Sequence, residues 1–158
     1  MKTSRTTVLA VALLVPQLVV GQTNAVAERA WRPFFSTFSA TLKRRDRKSL
    51  KKMMVRDFYF SGGGGDDNHD GDSRDEAFEF WDEPYIQGWR AFDRVLSRGS
   101  VPMAAWWDDG RKRKFISRVA PPAANIRRNI KRGAIHWYAI FEFRDGQWYC
   151  TIFNQCCD

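Results

Sequence analysis

The clearest chemical pattern in the chain is Asp66-x-Asn68-x-Asp70-Gly71-Asp72. It places oxygen ligands at the first, third and fifth positions of a calcium loop, then the turn glycine. The bidentate glutamate expected at the twelfth position is Ala77, with Glu76 and Glu79 offset from it. Asp66, Asn68, Asp70 and Asp72 are therefore candidates for a low-affinity calcium site. A solvated acidic loop is the competing reading, and the run Gly62-Gly63-Gly64-Gly65 favours it.

Other chemistries are poorly supplied. The two histidines are His69 and His136, and the three cysteines, Cys150, Cys156 and Cys157, contain no C-x-x-C pair. That disfavours a zinc site. The glycine run lacks the lysine and the helix opening of a phosphate loop, and no nucleophile elbow or dinucleotide fingerprint occurs. No cofactor is expected beyond the calcium candidate. General acid–base chemistry has four candidate residues: Asp57, Tyr59, Tyr85 and Glu142.

Charge is the second signal. The chain of 158 residues carries 26 Lys+Arg against 18 Asp+Glu, a net charge of +8. The bases cluster in Lys43–Arg56 and Arg111–Arg132, and half of the acids fall in Asp66–Glu83. Such basic stretches suit an anionic polymer or headgroup surface. Trp106 and Trp107, near Lys112 and Arg113, would add cation–π or stacking contacts. Neutralisation of these bases by the chain's own acidic segment is the alternative.

The first residues read as a secretory signal. Lys2 and Arg5 precede an apolar stretch, and Ala25-Val26-Ala27 offers a cleavage site after Ala27. A cut after Ala25 is the near alternative, because Thr23 and Ala25 are also small. Val8–Val20 is short for a membrane span and is interrupted by Pro16 and Gln17. The reading is a signal peptide over 1–27 and one domain over 28–158, secreted or periplasmic, with no transmembrane span in the mature chain.

The elements that would position these residues follow from periodicity. Trp31, Phe34, Phe35, Phe38 and Leu42 line one face of a helix over 27–42. Pro33 fits it only in a first turn. Asp46 caps a short helix containing Leu50, Met53 and Met54, and Phe58-Tyr59-Phe60 forms a strand. A Gly/Asp-rich loop spans 61–73. Ser73-Arg74-Asp75-Glu76 reads as a capping box opening a helix that Pro84 breaks or kinks and Gly99 ends. Asp109-Gly110 and Asp145-Gly146 each mark a hairpin. Strict alternation from the second turn sets Phe141 opposite Cys150 and Ala139 opposite Ile152. The core face then holds Ala139, Phe141, Phe143, Trp148, Cys150 and Ile152. Tyr138, Ile140, Glu142, Tyr149, Thr151 and Phe153 occupy the other face, which suits a partly covered outer face or a homodimer contact through the sheet. Cys150 is expected to be a buried free thiol, with Cys156 and Cys157 exposed.

Segregated helices and hairpins argue an α+β fold, with N-terminal helices packed on a curved, mainly antiparallel sheet. Three segments, WRPFFSTFSATLKRRD, SLKKMMVRDFYF and FEFRDGQWYCTIF, give the chain an order that resembles the nuclear transport factor 2-like superfamily. That superfamily includes ketosteroid isomerase and the polyketide cyclases. The resemblance implies a cone-like fold with a pocket between sheet and helices, often dimeric, and no particular reaction. The function expected is a secreted domain with a cavity for a small apolar ligand. The alternatives are a general acid–base cavity enzyme of isomerase or dehydratase type, and a basic module binding an anionic envelope polymer.

Overall fold

The computed structural model describes residues 15–61, 72–103, 115–122 and 136–156. Nine elements follow in order: α1 (Val15–Lys43), α2 (Arg47–Lys52), β1 (Met54–Ser61), α3 (Ser73–Asp82), α4 (Gly88–Ser97), β2 (Val101–Pro102), β3 (Ile116–Ala120), β4 (His136–Arg144) and β5 (Gln147–Cys156). The fold is α+β. The strands form one open mixed sheet in the order β1-β5-β4-β3-β2. Among the described residues β1 and β5 pair in parallel and the other pairs are antiparallel. Among the described residues no helix is long and apolar enough to cross a membrane.

The helices cover one face of the sheet because their apolar faces are aromatic and wide. Trp31 and Phe38 of α1 meet Phe141 of β4 edge-to-face, with ring centroids 5.3 and 5.5 Å apart. Trp31 packs likewise on Trp148 at 4.8 Å. These offset and perpendicular contacts suit ring quadrupoles. Among the described residues these rings form the contact between α1 and the β4–β5 hairpin.

Local signals act as their chemistry dictates. The Asp46 side chain accepts from the Ser49 amide at 3.1 Å and caps α2. That hydrogen bonding with Ser49 lowers the carboxyl pKa. Asp145 and Gly146 have φ of 49° and 84°, the left-handed pair that a two-residue hairpin turn demands. The α3–α4 break falls at Pro84.

Four expectations are corrected. The α3 cap is Asp72, whose side chain accepts from the Arg74 amide, not Ser73. Ser73 Oγ instead donates to the Arg56 carbonyl at 2.8 Å, fastening α3 to β1. Met54 belongs to β1, not to the short helix. Pro33 lies inside α1 rather than in a first turn. It sits on the exposed side, where the carbonyl it leaves unpaired can turn to water. β5 runs on to Cys156.

The fourth correction concerns the sheet faces. The β4–β5 ladder pairs Phe141 with Cys150 but Ile140 with Ile152 and Ala139 with Phe153. One extra residue, Thr151, lies in β5 and forms a bulge. Its hydroxyl donates to the Ile140 carbonyl at 3.3 Å. Beyond it the parity inverts: Phe153 enters the main core, and Ile152 joins a smaller cluster with Val119, Tyr138 and Ile140 on the opposite face. Val119, Tyr138 and Ile140 are already buried within the single chain. The Asp109-Gly110 hairpin, with Trp106 and Trp107, lies outside the described residues.

Candidate ligand-binding cleft

A cleft of about 290 Å³ opens between the turn before α2, the end of α3 and the start of α4. Arg45 borders it from the turn before α2. Trp81, Asp82 and Glu83 come from the end of α3, and Pro84 and Gln87 from the connection. Trp89 and Arg90 come from the first turn of α4. The cleft exists because proline ends one helix and a left-handed Gln87, φ 53°, starts the next.

Gly88 allows the two helices to close. A Cβ there would stand 2.5 Å from Trp81 Cδ1 and 2.7 Å from its Cγ. The indole thus lies directly against the start of α4. Trp81 is 2% exposed, and its Nε1 has no hydrogen-bond partner. Nε1 is bonded to Cδ1, so this unpaired N–H sits beside the first turn of α4. That turn has no side-chain cap. Its leading amides also lack intrahelical partners.

Asp82 is already engaged. Trp89 Nε1 donates to its Oδ1 at 2.8 Å, and Arg47 pairs with its Oδ2. The Arg45 guanidinium lies 5.8 Å from the Trp89 ring centroid. Arg45 and Arg90 bring guanidinium donors to the cleft lining, next to the Asp82 and Glu83 carboxylates, and the buried Trp81 N–H lies beside the start of α4. Donors of this kind receive oxygen acceptors, and the helix N-terminus favours negative charge. Two tryptophans supply apolar wall.

The four acid–base candidates do not line this cleft. Asp57 is exposed on β1, and Tyr59 on the same strand is 43% exposed. Tyr85 is 79% exposed on the α3–α4 connection. Glu142 accepts from the Arg144 side chain at 2.5 and 2.9 Å. Of the calcium candidates, Asp66, Asn68 and Asp70 lie outside the described residues, as does His69. Asp72 is held by Arg74, with bonds of 2.7 and 2.6 Å, and lies 3.6 Å from Lys51. The Arg74 hydrogen bond pulls the Asp72 pKa down to about 2, and Asp72 in turn raises that of Arg74. His136 opens β4 opposite Cys156.

The basic stretch after α1 meets acids of the chain itself. Lys43 approaches Asp93 at 3.8 Å, Arg47 pairs with Asp82, and Lys51 pairs with Asp75. Arg118, from the second basic stretch, holds both Glu28 oxygens at 2.9 Å and lies over the Trp31 ring at 4.9 Å. Most of the second stretch lies outside the described residues.

No motif or spacing in the sequence marks Arg45, Asp82, Glu83 and Arg90 as neighbours across the cleft. The sequence signal for it was Pro84 between Trp81 and Trp89. Compared with protein-family models, with curated proteins and with solved structures, the chain finds no match.

Proposed function

We propose that this chain is an exported small-ligand-binding domain whose site is the α3–α4 cleft, and that its ligand is a small organic anion. The observation that carries this reading is the buried, unpaired Trp81 N–H beside the uncapped start of α4. A buried donor without a partner costs about 1–3 kcal/mol, and a ligand oxygen would recover part of that. Arg45 and Arg90 at the rim add charge, and the tryptophans add apolar contact. The same reading sets the domain among cone-like α+β folds of the nuclear transport factor 2-like kind. Helices over one face of a mainly antiparallel sheet support that placement.

This reading favours a binding domain over an acid–base enzyme, because the four titratable candidates lie away from the cleft. It also departs from the anionic-polymer reading, since Arg47 and Lys51 are committed to Asp82, Asp72 and Asp75. Titration with benzoate, followed by tryptophan fluorescence, tests it. Saturable binding is expected, with benzamide weaker and Arg45→Gln or Arg90→Gln weakening benzoate about tenfold, or ~1.4 kcal/mol. Equal responses to benzoate and benzamide, or none to either, reject the anion site.

A further inference from the structure

We infer that export processing cuts this chain after Ala25, so that the mature protein begins at Val26. The inference rests on the export reading above. Two cuts satisfy the small-residue requirement: after Ala27, flanked by Ala25, and after Ala25, flanked by Thr23. The folded structure distinguishes between them.

Ala27 is a core residue. Asn24, Ala25 and Val26 are exposed, whereas Ala27 is 0% exposed. Its carbonyl accepts the Trp148 Nε1 hydrogen at 2.8 Å. Trp148 is itself buried, wedged edge-on against Trp31 and beside Phe143. This bond ties Ala27, within α1, to β5. A cut after Ala27 would remove the acceptor and leave an ammonium group on Glu28. An ammonium has no lone pair to offer the indole. The Trp148 donor would be stranded in the core, and the space of the Ala27 methyl group would be vacated.

The next residue points the same way. Glu28 holds Arg118 through both carboxylate oxygens, and that guanidinium covers the Trp31 ring. Were Glu28 the first residue, this anchor would hang from a fraying helix end. With Val26 first, Glu28 lies within the opening turn of α1, where a carboxylate also complements the helix dipole. The residues lost by this cut next to the junction, Asn24 and Ala25, are exposed.

The test is pulse-labelling of the full-length chain in an export-competent host, with N-terminal sequencing of the product. Processing is read on the nascent chain, so folding defects in a variant do not mask it. The wild type is expected to begin at Val26. Thr23→Lys, which spoils only the upstream cut, is expected to abolish that product. Ala27→Leu, which spoils only the downstream cut, is expected to leave it unchanged. A product beginning at Glu28 and lost in Ala27→Leu overturns the inference while the export reading stands. Retention of Met1 on exported material overturns both.

Discussion

The Phe92 and Phe153 rings lie face to face, with centroids 3.9 Å apart and planes within 5°. Phe92 projects from α4 and Phe153 from β5, so this stack joins the cleft helix to an interior strand of the sheet. Trp81 meets both rings edge-on, at 5.4 and 5.5 Å. Phe153 thus supports the tryptophan that walls the cleft. Phe153→Ala is expected to cost about 3–5 kcal/mol, as for a fully buried aromatic. Ile152→Ala, on the smaller cluster, is expected to cost distinctly less. Urea denaturation of both variants checks the order, and equal losses would show that the Thr151 bulge does not set the faces.

That bulge also marks where sequence reading stopped. The Asp145-Gly146 turn was legible because two consecutive left-handed residues are chemically restrictive. It fixed Phe143 opposite Trp148 and Phe141 opposite Cys150. One extra residue in a ladder carries no such mark, so alternation carried past Thr151 put Ile152 in the core and Phe153 outside. The helix faces were legible through Trp31, Phe38 and Leu42, and Pro84 announced the break. The site was not. Asp57, Tyr59, Tyr85 and Glu142 were chosen by residue type, and type carries no information about a shared space. The cleft instead joins Arg45 to Trp89 through packing of elements distant in sequence.

Cys150 is a buried free thiol. Burial pushes its pKa well up, and Sγ reaches only the Ile152 carbonyl, at 3.7 Å. Native protein is expected to leave Cys150 unlabelled by a thiol reagent and to label it fully on unfolding. The folded state holds this proton more tightly than the unfolded chain. Its contribution is therefore complete below about pH 8.5 and declines as pH rises past that value. Rapid native labelling of Cys150, mapped by mass spectrometry, would contradict the burial.

Gly88→Ala tests the contact that shapes the cleft. The new methyl would overlap Trp81 Cδ1 and Cγ, within 2.5–2.7 Å. The indole is packed by Phe58, Phe78, Phe92 and Phe153 and has no free direction of retreat. Overpacking of this kind costs about 1–3 kcal/mol. A red-shifted tryptophan emission is expected as the cleft opens, together with lost benzoate binding. A variant as stable as wild type with unchanged binding would show that helix closure does not depend on this glycine.

Asp72 gives the acid limb of stability a definite sign. Its pKa falls from an ordinary 3.8 to about 2 in the fold, chiefly through the Arg74 hydrogen bond. A lowered carboxyl pKa means that the unfolded chain binds the proton more readily. The stabilisation is thus fully present above about pH 4 and is lost as pH falls from there towards 2. Three partners make the loss specific: the Arg74 amide, the Arg74 guanidinium and, at 3.6 Å, Lys51. Asp72→Ala removes the α3 cap as well, at a cost of about 1–2 kcal/mol at neutral pH. Arg74→Leu leaves the cap acceptor in place but removes its main cationic partner. Denaturant melts across pH 2–6 should show wild type losing stability through this window. Asp72→Ala should be flatter there, and Arg74→Leu should move the midpoint upward towards the ordinary carboxylate value. Parallel pH profiles for wild type and Asp72→Ala would assign the acid transition to other carboxylates.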